Sequence, residues 1–231
     1  MNFIKRLSVF ERRLWLISVT LIALLHIFQK DQTVFQLIAS LIGVTSLIFM
    51  AKGDVTGQWM SVVFCCMYAV ISWQFRYYGE LMTYLFMSLP IAVLSIVEWM
   101  KNPYAENEVK VAHLKPKHWI LLVICTVVVT VVFHFVLKYF NTPNLLVSTL
   151  SIATSFLAAS LMMMRSPYYA VAYAFNDVVL ITLWILASLV APENLSMVLC
   201  FSIFLVNDIY AYHSWKQMRK RQDESMITSE S

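Results

Sequence analysis

Residues 118–140 read HWILLVICTVVVTVVFHFVLKYF. The only lysine or arginine in this run is Lys138, close to its end. A helix needs about 20 apolar residues to cross the hydrocarbon core of a bilayer. The run is long, does not alternate, and holds neither glycine nor proline. It predicts a membrane-spanning helix and not a β-strand. Outward from it lie seven more runs of the same kind: 13–29, 33–51, 58–78, 81–100, 144–164, 168–190 and 194–215. Turn-forming residues separate them, among them Lys30-Asp31-Gln32, Lys52-Gly53-Asp54, Tyr78-Gly79-Glu80, Asn141-Thr142-Pro143, Ser166-Pro167 and Pro192-Glu193-Asn194. The expected fold is an all-α integral membrane protein with eight transmembrane helices.

Composition agrees. The 231 residues are 60% hydrophobic and 13% charged, with mean hydropathy +0.72. Soluble domains carry about 25% charged residues, and one of this size could not hide so much apolar surface. A disordered chain and a disulfide-stapled secreted domain are excluded. Nucleic acid is not an expected partner, since the net charge is only +4. Cys65, Cys66, Cys125 and Cys200 lie inside apolar runs without metal-type spacing and read as packing residues. No G-x-G-x-x-G, H-E-x-x-H or G-x-S-x-G motif occurs. No enzyme activity, cofactor or metal is therefore expected. The first run follows Lys5, Arg6, Arg12 and Arg13 as a signal peptide would, but lacks a small-residue cleavage site. It reads as an uncleaved helix.

Lysine and arginine placement sets the orientation. With the N-terminus in the cytoplasm, fourteen of the seventeen basic residues fall on the inner side. Only Lys30, Arg76 and Lys138 fall outside. Both termini are expected in the cytoplasm. Segments 33–100 and 144–215 share a plan of three runs. Each has a basic turn (Lys52, Arg165) after its first run and an acid (Glu80, Glu193) between the second and third. Each ends in a Trp-Met-Lys or Trp-Lys stretch, at Trp99 and Trp215. The single run 118–140 returns the chain across the membrane, so both triplets run parallel. This 3+1+3 plan, found in SWEET-class transporters, places substrate between the two triplets. The expected organisation is an extra N-terminal helix in 1–32, a first repeat in 33–100, a loop and linker helix in 101–142, a second repeat in 143–217 and a polar tail in 218–231. The loop 101–117 reads as a solvated linker.

Polar groups inside spans are costly and mark function by default. Two Asn-Asp pairs stand out, Asn176-Asp177 and Asn207-Asp208, on adjacent antiparallel spans at one depth. They suit either substrate binding or a hydrogen-bonded clamp between the helices. Tyr169, Tyr173, Asn176 and Leu180 share one helix face, a stripe that suits a flat polar ring. Trp184 lies two turns beyond. In the first triplet Tyr68 is near the midplane, with Trp73 and Gln74 closer to the outer end. Trp59, Trp99, Trp119 and Trp215 read as interfacial belt anchors. Pro90 should kink its helix. His134 reads as solvated or packed.

Two stretches carry a resemblance. Ser166-Pro-Tyr-Tyr-Ala-Val-Ala-Tyr-Ala-Phe-Asn-Asp-Val-Val-Leu-Ile-Thr-Leu-Trp184 and Val206-Asn-Asp-Ile-Tyr-Ala-Tyr-His-Ser-Trp215 resemble the second-repeat signature of the PnuC nicotinamide riboside transporters. Trp73-Gln-Phe-Arg-Tyr-Tyr-Gly-Glu80 is similar to that family's glutamine-containing segment. The resemblance covers about residues 33–220. It implies a SWEET-like fold, a central nucleoside site and facilitated diffusion. Uptake would be driven by a cytosolic riboside kinase that traps the substrate. It further implies location in the bacterial cytoplasmic membrane. Substrate contacts would fall to Tyr169, Tyr173, Asn176, Asn207 and Gln74. Many members carry tryptophan at Tyr169 and Tyr173, and glycine at Ala211. Thiamine and deoxynucleosides are the alternative cargoes, proton coupling through Asp177 and Asp208 the alternative mechanism. A membrane enzyme or subunit without transport is the remaining reading. A homo-oligomer is compatible with the chain.

Overall fold

The computed structural model describes residues 6–28, 33–74, 78–190 and 195–230. Lys5, Lys30, Arg76 and the Pro192-Glu193-Asn194 turn, used above, lie outside the described residues. The eight apolar runs become eight helical rods. In order they are α1 (Val9–Phe28), α2 (Val34–Ala51), α3 (Thr56–Gln74), a composite rod, α6 (Pro116–Tyr139), α7 (Leu145–Met163), α8 (Tyr168–Ser188) and α9 (Leu195–Glu230). The composite rod runs from α4 (Tyr78–Thr83) through a π-helical turn (Tyr84–Ser88) into α5 (Leu89–Lys101). Pro90 explains that turn. It has no N–H to give to the carbonyl four residues back. The ladder slips by one residue, and the Leu89 N–H bonds the Tyr84 carbonyl instead.

Six rods are long and apolar enough to cross a membrane by themselves. The other two are α1, which carries Glu11, Arg12 and Arg13 near its start, and α3, which has Gln58 and Gln74 near its ends. α6 shows what the solvent must be. Ile120, Val123, Val127, Val131 and Phe135 are each more than half exposed. Such an apolar surface is stable in hydrocarbon and not in water. α9, with 36 residues, is about 54 Å long at 1.5 Å per residue. It extends several turns past a hydrocarbon core of about 30 Å.

α2, α3 and the composite rod pack together, as do α7, α8 and α9. The two groups meet through α2 against α9 and α5 against α7, first helix on third helix in both directions. The turns after α2 and α7 have the same hydrogen bonds. Gly53 N donates to Met50 O (2.9 Å) and Asp54 N to Phe49 O (3.0 Å). Arg165 N donates to Met162 O (2.9 Å) and Ser166 N to Leu161 O (3.0 Å). Gly53 and Arg165 both adopt positive φ, 69° and 57°. A non-glycine residue there costs on the order of 1–2 kcal/mol. Arg165 is held in place by hydrogen bonds of 3.0 Å to Glu98 and to the Lys110 carbonyl. Gly57 is needed for a different reason. A Cβ there would lie 2.7 Å from Met50 N, so only glycine lets α3 approach α2 so closely.

Two tryptophans join the groups reciprocally. Trp99 Nε1 of α5 donates to Met162 O of α7 (3.0 Å), and Trp215 Nε1 of α9 donates to Met50 O of α2 (2.8 Å). Their rings lie 5.5 Å apart. Both are buried, which corrects the belt-anchor reading for these two. Trp59 and Trp119 are exposed.

The reading of 101–117 as a solvated linker is also corrected. Residues Pro103–Ala105 (β1) and Glu108–Val109 (β2) form an antiparallel ribbon. Val109 N donates to Gly53 O and Ala112 N to Arg165 O, both at 3.0 Å, so each of the two turns receives one bond from this segment. Buried Gln222 on the α9 extension accepts from Val111 N and donates to Glu108 and Val109 O. Residues 218–230 of the polar tail thus continue α9 and brace the ribbon.

Replacing Trp99 or Trp215 by Phe keeps the ring but leaves a buried carbonyl short of a donor. Each change should lower stability by about 1–2 kcal/mol. Because the two rings touch, the double variant should lose a different amount from the summed singles. Thermal unfolding in detergent checks this; additive losses would show that the two bonds act independently.

Candidate functional site

The middle helices α3 and α8 are held apart, and space opens between them. The inner cavity, about 170 Å³, is nearer the ribbon. Its wall includes Gln58, Tyr84, Tyr173, Asn176, Asp177 and Asp208. Serine hydroxyls also line it, from Ser46 and Ser61 on one side to Ser155 on the other. The outer cavity, about 380 Å³, reaches the Thr142-Pro143-Asn144 turn at the opposite end. Tyr84, Ser88, Ser155, Leu180 and Phe201 border both cavities.

α8 delivers the chief polar groups because it begins directly after the Ser166 turn. Its register then points Tyr173, Asn176, Asp177 and Leu180 inward. Asn176 Oδ1 accepts from Thr154 (2.6 Å) and Ser155 (3.0 Å) of α7. With its oxygen engaged, the amide has its Nδ2 hydrogens to offer. The Asp177 and Asp208 carboxyls adjoin across α8 and α9. Asp177 Oδ2 and Gln58 Nε2 are buried at this cavity with no hydrogen-bond partner among the described residues. Buried groups left so are normally satisfied by a ligand or water.

The residues expected from the sequence divide by position. Tyr173, Asn176, Asp177 and Asp208 meet at the inner cavity, and Tyr68 and Trp184 line the outer one. Tyr169 is buried one turn below, edge-on to Trp215 with centroids 5.1 Å apart, in the core that closes the ribbon end. Asn207 faces α1, where its Nδ2 donates to Ser18 Oγ (3.2 Å), and it also donates to Ile203 O one turn back on α9 (2.8 Å). Trp73 and Gln74 are exposed at the end of α3 and line neither cavity. Trp73 contacts Tyr78 instead. His134 is packed, bonding Thr149 at 2.9 Å.

Sequence reasoning missed Gln58, Tyr84 and Glu80. Gln58 stood at the expected edge of its span, but α3 begins two residues earlier, so it falls a half-turn inside. The signal was its neighbour Gly57, a residue that marks close helix approach. Tyr84 precedes the expected kink at Pro90, and π turns are often found at functional sites.

Apolar helices around two cavities that carry a few buried polar groups, closed by a packed core at one end, suit a membrane transporter. The chain belongs to the nicotinamide mononucleotide transporter family, whose model matches residues 33–217. It is thus a PnuC-family protein. It is 26% identical over 205 residues to the nicotinamide riboside transporter PnuC of Neisseria mucosa, covering 86% of this chain and 78% of that one. Against the nicotinamide riboside transporter PnuC of Haemophilus influenzae it is 23% identical over 210 residues, covering 90% of each. Its fold matches a crystal structure of the vitamin B3 transporter PnuC with a TM-score of 0.78 and 25% identity, covering 94% of both chains.

Ser155, which bonds Asn176, and Asn207 should differ in access. In a background with all four native cysteines replaced, Ser155→Cys should react with a charged methanethiosulfonate reagent, because it borders both cavities. Asn207→Cys, sealed against α1, should remain unmodified. Mass spectrometry after timed labelling checks this; equal labelling would show that the α1 contact is open to water.

Proposed function

We propose that this protein carries nicotinamide riboside across the bacterial cytoplasmic membrane by facilitated diffusion. The observation that supports this reading is the charge of the path. Glu80, Asp177 and Asp208 line the two cavities, and no lysine, arginine or histidine does so among the described residues. A mononucleotide carries a phosphate that such walls repel, and proteins that bind phosphate supply cations or helix N-termini. The riboside has no phosphate and a positively charged pyridinium ring. Tyr173 and Tyr84 offer faces for that cation. Asn176, Gln58 and the serine hydroxyls suit a carboxamide and a polyhydroxylated sugar. The acidic walls favour the riboside over neutral deoxynucleosides. The hydroxyl-rich wall favours it over thiamine, which is cationic but has no ribose. Both curated relatives bear the nicotinamide riboside name.

Topology follows the same reading. The bundle is an eight-span membrane protein, with α1 as an extra helix beside two parallel three-helix repeats and α6 as linker. Both termini lie in the cytoplasm. The outer cavity then faces away from the cytoplasm, and the ribbon and α9 extension stand inside. Net uptake by a passive carrier requires removal of the product, which a cytosolic kinase supplies by adding the phosphate that the path rejects. One geometric observation favours a second mechanism. The adjoining Asp177 and Asp208 carboxyls could carry a proton with the substrate. An inward acid gradient would then drive accumulation.

Uptake of labelled riboside into proteoliposomes tests these readings. Riboside should enter saturably and equilibrate without accumulating, with or without a pH gradient. The mononucleotide should neither enter nor compete, and transport of it would overturn the charge argument. Gradient-driven accumulation would establish the second mechanism. Asn176→Ala should raise KM for the riboside about tenfold, the loss of one buried hydrogen-bonding group. Trp184→Ala should also weaken uptake, while Asn207→Ala should act on stability first.

A further inference from the structure

Glu80 stands in the first turn of α4 and lines the outer cavity, a position that the riboside contacts above do not use. The Tyr68 hydroxyl of α3 neighbours its carboxylate. The Tyr68 ring lies 4.3 Å from that of Tyr84, at 38°. Phe64 meets Tyr84 edge-on behind it, at 6.0 Å. Trp184 of α8 and Phe201 of α9 belong to the same cavity wall. A single carboxylate therefore stands among several aromatic rings, without a basic residue in the described lining. Aromatic faces carry negative electrostatic potential and attract organic cations. A carboxylate among them adds a full charge in a region screened poorly by water.

Size points the same way. Small-molecule sites span about 300–1,000 Å³. At about 380 Å³ the outer cavity falls in that range, whereas the inner one, at about 170 Å³, does not. A solute of nucleoside size fits the outer space first and must then pass Tyr84 and Phe201. Tyr84 borders both spaces because the π turn sets its register.

We propose that the outer cavity is a separate cation-binding subsite. In it Glu80, with the faces of Tyr68, Tyr84 and Trp184, holds the charged ring of an aromatic organic cation before the cation passes inward. Tyr68 is a positioning residue that orients the carboxylate. The identity of the cargo as a pyridinium nucleoside rests on the transport reading above.

The test compares two solutes of nearly one shape and different charge: nicotinamide riboside, a cation, and its neutral reduced dihydropyridine form. In proteoliposomes Glu80→Gln should raise KM for the cation about tenfold and leave KM for the neutral form unchanged. Tyr68→Phe should give a smaller rise that is again confined to the cation. An equal change for both solutes, or no change for the cation, overturns the subsite. A second arm uses the unmodified protein. N-Methylnicotinamide cation should quench its tryptophan fluorescence at concentrations about tenfold lower than neutral nicotinamide. Equal quenching overturns the subsite. If neither riboside enters with the unmodified protein, the transport reading falls, while the fluorescence arm still decides the subsite.

Discussion

The structure depends on two indole N–H groups, each bonded to a carbonyl of the opposite triplet. Met50 O and Met162 O lie in the last turns of α2 and α7, where carbonyls lose their intrahelical partners. Each takes one bond from the left-handed residue of its own turn, Gly53 or Arg165. Each takes a second from a tryptophan across the interface, Trp215 or Trp99. Turn and interface are therefore one device. A turn of another shape would move the carbonyl out of the tryptophan's reach. The ribbon reinforces the device by bonding the Gly53 and Arg165 carbonyls from outside. Around it Met162, Tyr169 and Met218 form a packed core beneath the inner cavity. Passage of a solute toward the ribbon end requires that core to part.

The rods were legible in the sequence because hydrocarbon thickness imposes a length on any apolar helix. The polar residues of α8 were legible too, since an amide or acid in an apolar run is costly enough to need a reason. The faces were harder. A soluble helix shows its buried side by contrast with its wet side. Here lipid-facing and core-facing positions are both apolar, and that contrast is missing. Trp99 and Trp119 each stand near a helix end and look alike in sequence, yet one is buried and the other exposed. Asn176 and Asn207 each precede an aspartate, yet one bonds α7 beside the cavity and the other bonds α1 away from it. Rotation of a helix about its axis is set by its neighbours, and no single stretch contains it. The ribbon was hidden for a related reason, since Gln222, its chief partner, is more than a hundred residues away.

The asparagines of the two Asn-Asp pairs bond third helices and not each other's. Substrate site and clamp are usually opposed as explanations of a polar group in a membrane helix. Here each asparagine ties its helix to a third one, α8 to α7 and α9 to α1. The aspartates beside them face each other and the cavity. Anchoring the amides fixes the rotation of α8 and α9, and that rotation brings the carboxyls together. α1 contributes to the same end. Glu11 bonds Tyr210 at 2.9 Å, and Trp15 bonds Thr45 at 3.0 Å. The helix outside the two triplets thereby holds α9 against α2, where the reciprocal tryptophan bond forms.

A carrier must bind weakly enough to release on the far side, and acids in a low-dielectric path threaten that condition. A bare carboxylate and a compact cation at contact there attract far more strongly than in water. The acids on this path do not stand isolated from other polar groups. Glu80 neighbours the Tyr68 hydroxyl, and Asp177 adjoins Asp208. A pyridinium ring spreads its charge over several atoms, so its attraction to any one oxygen is smaller than that of an ammonium group. Aromatic faces then supply selectivity for a flat cation in modest increments of about 0.5–2 kcal/mol each. On the proposed reading, diffuse cargo charge and ring faces would together give a path that prefers a cation without trapping it. A phosphate added to such a cargo would meet the same carboxylates as a like charge, so the walls of the proposed path would repel a phosphorylated product.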